Sequence, residues 1–305
     1  MISVLQLGTI DYATGLQLQQ QLVALRKEEK ISDVLLLLEH KPVITLGRNA
    51  KSAHVIASPE LLAHRGVELF ECDRGGDVTF HGPGQLVGYP IFDLRGHTNS
   101  QPVSSRASRS ESDGESRDLG FSRKHLGAID FVRRLEEVLI RTNSDFAIET
   151  KRTPGLTGVW TTPSPVSSRA EESDSKNRSP QSRDLLLADT AANVEAKLAA
   201  IGIHISHFVT SHGFALNVNT DLTYFNLIIP CGIAAKPVTS MQKELGKELE
   251  MTAVAESISR NFSKVFSTQI LWLETIDALL GQSVGVPMKH PDELRALHQE
   301  DTFWS

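Results

Sequence analysis

Cysteine is nearly missing, with only Cys72 and Cys231 in 305 residues. Two thiols this far apart exclude a disulfide framework and any CxxC-type metal site. No run of about 18 consecutive apolar residues occurs, so a membrane-spanning helix is not expected. The opening stretch MISVLQLGTIDYATG lacks the basic start and apolar run of a secretion signal, and a cytoplasmic location is the expectation. Basic excess is missing too: 31 Lys and Arg stand against 37 Asp and Glu, a net charge of -6, which gives no sign of nucleic acid as a partner. Neither GxGxxG nor a Walker-type GK followed by Ser or Thr is present, which removes the common nucleotide-phosphate loops.

What is there falls into ordered and low-complexity parts. Residues 96–124 and 161–184 are dominated by Ser, Arg, Asp and Glu and share PVSSRA and a later SRDL. Such stretches bury too little apolar surface to offset their ordering entropy, so they read as insertions. Around them lies a pattern of alternating helices and strands. Asp11 caps a helix with Leu18, Leu22 and Leu25 on one face; strands follow at DVLLLLEH and PVITLG. HLGAIDFVRRLEEVLIRT predicts a helix with Leu126, Ile129, Val132, Leu135 and Leu139 inward. After the second insertion, a short strand around Lys197 and two strands joined at Thr210 to His212 are expected, with Phe214, Leu216 and Val218 facing away from Ala215 and Asn217. A helix at MTAVAESISRNFSKVF closes the pattern, and 266–305 reads as a weakly patterned C-terminal extension. The fold class is α/β (α+β), with mixed sheets covered by helices in one domain over 1–265.

Two segments carry candidate chemistry. In LIIPCGIAAKPVTS, an apolar run ends at Pro230 and places Cys231 beside Gly232 at a turn. A free cysteine is most often a small buried apolar residue. A reactive thiol needs exposure, a distorted backbone and a nearby cation or base, and the turn supplies the first two. His81, Lys197, His212 and Lys236 are the candidate cations or bases, and spacing does not choose among them. Lys197 precedes the small apolar LAAIG, where an ammonium group loses water; a solvated lysine at a strand start is the plainer reading. Cys72, at the end of VELFECD, reads as structural. The second segment is DRGGDVTFHGPGQLVGYP, Asp73 to Pro90, whose glycines permit close backbone approach to a ligand or, equally, a pair of tight hairpin turns.

The blocks EHKPVITLGR, RGGDVTFHGPGQLVGYPI, GLTGVW, KLAAIGIHI with HGFALNVNTDLTYFNLIIPCGI, and VTSM resemble, in order, those of the lipoyl(octanoyl) transferases. The resemblance covers roughly residues 2 to 265 apart from the insertions, and departs from the family at Phe80, usually Tyr, and Leu198, usually Ile. It implies a biotin/lipoate protein ligase-like catalytic domain that moves an octanoyl group from octanoyl-acyl carrier protein to a lysine of lipoyl domains. The acceptors it implies are lipoyl domains of 2-oxoacid dehydrogenase subunits and the glycine cleavage H protein. It implies Cys231 as the nucleophile that becomes a thioester and Lys197 as the group that draws the thiol toward thiolate and assists proton transfer. The acyl pocket would be lined by Arg74, Gly75, Gly76, Asp77, Val78, Thr79, Phe80 and His81, by Ala200, Ile201 and Gly202, and by Gly213, Phe214 and Ala215. No cofactor, metal, nucleic acid or membrane is implied. An ATP-dependent ligase of the same fold, which needs no cysteine, and a non-catalytic acyl-carrier-binding module are the rival readings.

Overall fold

A computed structural model describes residues 1–97, 125–162, 195–230 and 236–281. Most of both insertions, Cys231 and the last residues of the C-terminal extension lie outside these.

The elements run β1 (Ile2–Ile10), α1 (Tyr12–Lys27), β2 (Asp33–His40), β3 (Val43–Leu46), α2 (Pro59–His64), β4 (Glu68–Glu71), β5 (Val78–His81) and β6 (Gln85–Ile91). They continue with α3 (Ala128–Asp145), β7 (Thr150–Thr153), β8 (Leu156–Thr161), β9 (Lys197–Ser206), β10 (Val209–Asn217), α4 (Met241–Leu245), α5 (Met251–Phe266), β11 (Ile270–Leu273) and α6 (Ile276–Gly281). Eight strands form a mixed sheet in the order β11-β1-β2-β6-β10-β9-β8-β7, and a second sheet has the order β4-β3-β5.

Strand β2 shows why the large sheet sits in the middle. Leu35 and Leu37 join the core under α3 and α5, while Val34, Leu36 and Leu38 join the opposite core under α1. A strand buried on both faces reads as a continuous apolar run, as DVLLLLEH does. Asp11 accepts the Thr14 amide at 2.8 Å and starts α1 as expected. Phe214, Leu216 and Val218 lie in one core and Ala215 in the other, also as expected. The small sheet has its own core, in which Val78 and Phe80 pack with Ile44, Leu227 and Ile228.

Four expectations are corrected. The residues from Lys197 form one ten-residue strand, and the turn to β10 falls at His207 and Phe208 rather than at Thr210 to His212. Both turn residues have positive φ, 51° and 68°, as a tight hairpin turn of this hand demands. Around helix α3, Leu126, Leu135 and Leu139 are buried as expected, but Ile129 is 76% exposed and Val132 half-buried, and Phe131 and Val138 complete the buried stripe. The extension does not begin at 266, because β11 pairs in parallel with β1 and α6 buries Ile276, Leu279 and Leu280. A four-residue edge strand carries too little pattern to be seen alone. Gly96 and Thr161, placed in the insertions, belong to a short 3₁₀ turn and to the end of β8. Among the described residues no helix is long and apolar enough to cross a membrane.

Candidate active site

Strands β6, β10 and β9 are adjacent, and their register builds a floor of small residues. Ala215 pairs with both Val87 and Ala200, and two residues further along Gly213 pairs with Gly202. The loop from Arg74 to Asp77 crosses above this floor, tied down by the Gly75 amide, which donates to the Ile203 carbonyl at 3.0 Å. That approach requires glycine: a Cβ on Gly202 would sit 2.6 Å from the Gly75 oxygen. Between floor and loop is a narrow cavity of about 50 Å³.

Twelve of the expected pocket residues line it: Arg74, Gly75, Gly76, Asp77, Thr79, His81, Ala200, Ile201, Gly202, Gly213, Phe214 and Ala215. Val78 and Phe80 do not. Alternation on β5 sends Thr79 and His81 to the cavity and turns Val78 and Phe80 into the small sheet's core, where Phe80 stacks on Tyr224 at 4.7 Å. Sequence reasoning missed Tyr12, Val87, Tyr89 and His212 as lining residues, His212 being expected only as a candidate base. Val87 and Tyr89 were legible as alternate positions of one strand; nothing local marked Tyr12, the first residue of a helix.

Arg74 is 8% exposed and does not act as a free anion clamp. Its guanidinium donates to the Thr45 carbonyl and hydroxyl and to the Gly75 and Asp77 carbonyls, so it spends its donors on shaping the loop. Because Thr45 Oγ1 accepts from Arg74 twice, its own hydrogen is left for His81 Nε2, 3.4 Å away. His81 Nδ1 donates to Gln85 Oε1 at 2.7 Å, since the Gln85 amide nitrogen is already directed at the Phe80 carbonyl and Asn217 Oδ1. Both ring nitrogens are thus engaged. Burial, reinforced by the neighbouring His40 and the Arg74 charge, lowers His81 to about 3, which makes it a neutral shaping residue rather than a proton carrier. His40, held between the Ile10 carbonyl and the Tyr89 hydroxyl, is lowered to about 4 by burial. Burial raises the phenols of Tyr12 and Tyr89, so both remain protonated.

This neutrality has a measurable consequence. Unfolded histidines titrate near 6.5, so as pH falls below that value the unfolded chain binds protons that folded His40 and His81 exclude. The stabilisation is fully present above about pH 7 and declines toward pH 4, by up to ~1.4 kcal/mol per pH unit for each histidine. Thermal melts between about pH 7.5 and 5 should show a falling Tm, with a shallower slope in His81→Gln. A flat Tm across that window would contradict the neutral assignment.

Lys197 starts β9 and lies outside the cavity lining, three residues or about 10 Å along the strand from Ala200. Its backbone bonds to Pro237 and Thr239, and its ammonium sits 4.8 Å from the centroid of the Trp160 ring. Lys236 lies 4.9 Å from the same ring, and its Nζ pairs with Glu195 at 2.7 Å; Lys151 holds the other oxygen of Glu195. The hydrogen bonds from these two lysines hold the Glu195 carboxyl at about 2. A polar path connects this corner to the cavity: His81 to Gln85, Gln85 to Asn217, Asn217 to the Thr239 carbonyl, and the Thr239 amide to the Lys197 carbonyl. Pro230, to which Cys231 is bonded, lines an open cleft together with Lys236. Of the four cations and bases that sequence left open, Lys197 and Lys236 share this corner, whereas His81 and His212 belong to the cavity.

The profile of the lipoyl protein ligase A/B catalytic domain matches residues 11–108 and 120–263. An octanoyltransferase of Koribacter versatilis is 52% identical over 301 residues, 99% of this chain and 98% of its own, and one of Acidobacterium capsulatum is 47% identical over 92% and 96%. The chain belongs to the octanoyltransferase family. It is an acyltransferase by that membership, and the fold agrees. A bipartite lipoate protein ligase from Thermoplasma acidophilum superposes with a TM-score of 0.57 at 12% identity, over 98% of this chain and 92% of that one. A lipoate-protein ligase A bound with ATP also gives 0.57 at 12% identity, over 98% and 94%. At such identities the likeness establishes the fold, which is the ligase-like fold expected from the motif blocks.

Proposed function

We propose that the chain transfers the octanoyl group from octanoyl-acyl carrier protein to a lysine of lipoyl domains, through a thioester on Cys231. In the first step the Cys231 sulfur attacks the donor's thioester carbonyl; a new C–S bond forms, the carrier's C–S bond breaks, and the carrier leaves as a thiol after taking a proton. The energies of the two thioesters are nearly equal, so this exchange is reversible. In the second step the neutral ε-amine of the target lysine attacks the same carbonyl, an amide forms, and the Cys231 sulfur leaves. Splitting one transfer between two macromolecules into two such steps is the gain of covalent catalysis. Lys197 receives and returns the protons that these steps release.

The observation that supports the reading is the cavity floored by Ala200, Gly202, Gly213 and Ala215, which opens about 10 Å along β9 from Lys197. The lysines around Trp160 supply positive charge where an acidic carrier would dock, despite the net charge of -6. The acceptors proposed are lipoyl domains of 2-oxoacid dehydrogenases and the glycine cleavage H protein, and the compartment is the cytoplasm. Intact-mass measurement after mixing with octanoyl-acyl carrier protein tests the scheme. Wild type should gain one octanoyl group and Cys231→Ser none; an adduct on the serine variant would sink the mechanism. Transfer from free octanoate only when ATP is added would favour a ligase instead.

A further inference from the structure

His212 stands at the inner end of the cavity. It follows Gly213 toward the hairpin turn and pairs with Ile203, so it lies on the far side of the Gly202–Gly213 row from Lys197. It is also the one residue shared between the cavity lining and that of a surface cleft of about 410 Å³, bounded by Gln19, Lys27, Asp73 and His204. The imidazole is 3% exposed and is clamped: Nε2 meets Asp73 Oδ1 at 2.7 Å, the backbone amide donates to Gln19 Oε1 at 2.7 Å, and the ring meets the edge of Tyr89. A single fixed side chain therefore lies between the cavity and the cleft.

We infer that His212 is the end wall that sets the length of the acyl chain. The inference rests on the acyl-transfer reading. Lys197 to Gly202 is five residues, about 17 Å along the strand. An eight-carbon chain with C–C bonds of ~1.5 Å extends about 9 Å and a fourteen-carbon chain about 17 Å, so of two chains entering from the Lys197 end of β9 only the longer reaches the Gly202–Gly213 row and His212. Removing the imidazole joins the cavity to the cleft and gives the longer chain a path outward.

His212→Gly is the informative variant, because His212 has a φ of 54° and glycine occupies that region without strain. His212→Ala is the second variant, and circular dichroism reports whether each folds. Octanoyl- and tetradecanoyl-acyl carrier protein are offered separately, and the rate of adduct formation on Cys231 is read by intact mass. Wild type should load octanoyl and largely refuse tetradecanoyl; the variants should raise the tetradecanoyl-to-octanoyl ratio about tenfold or more, the size of effect a few methylenes exert in an apolar site. A purely structural role would slow both chains equally, and an unchanged ratio overturns the inference. Failure of wild type to load octanoyl at all overturns the acyl-transfer reading instead.

Discussion

Lys197→Ala should lower the transfer rate by about 10² to 10⁴-fold, the usual range for a lost proton-transfer group, while the fold survives. The survival follows from what the side chain does in the structure. Its backbone, not its ammonium, makes the bridge to the segment at Pro237 to Thr239, and that is retained in alanine. What is lost includes the contact with the Trp160 ring, worth about 0.5–1 kcal/mol. Lys197→Arg separates charge from chemistry: the guanidinium keeps a cation at the ring but does not give up its proton. Single-turnover transfer and thermal melts on both variants decide the matter. Full activity in the arginine variant would show that charge alone suffices, and full activity in the alanine variant would remove this residue from the mechanism.

The second large effect is on stability. Gly213→Ala would place a Cβ 2.0 Å from the Gly88 carbonyl oxygen and 2.6 Å from Pro90, both fixed in the neighbouring strand β6. The same tightness recurs on the opposite face, where a Cβ on Gly88 would sit 2.1 Å from the Phe214 ring. Backbone in the middle of a sheet cannot move aside as a flexible side chain can, so the cost lies at or above the upper end for overpacking, about 3 kcal/mol. For a chain of this size that lowers Tm by roughly 6–12 °C. Because Gly213 also floors the cavity, octanoyl loading should fall with it. A melt unchanged within about 2 °C would show that β10 can shift, against the packing described.

Sequence alone determined the repeated elements and the chemistry-bearing blocks. A doubly buried strand such as DVLLLLEH and a capped helix from Asp11 carry their signal in neighbouring residues, and local pattern suffices for them. The motif blocks around Arg74, Lys197 and Cys231 carry the family resemblance in contiguous sequence. Local pattern failed where a decision belonged to the partner. Which stripe of α3 faces inward depends on α5, so Ile129 lies exposed although its spacing predicts it inward. The strand Ile270–Leu273 exists because β1 offers an edge, and Val78 and Phe80 point away from the cavity because Leu227, Ile228 and Tyr224 cover that face of the small sheet. Only the tertiary structure set His212 from β10 against Asp73 from the glycine loop, residues 139 apart in the chain. Pairing across such separations leaves no local periodicity, and the wall of the cavity is made of nothing else.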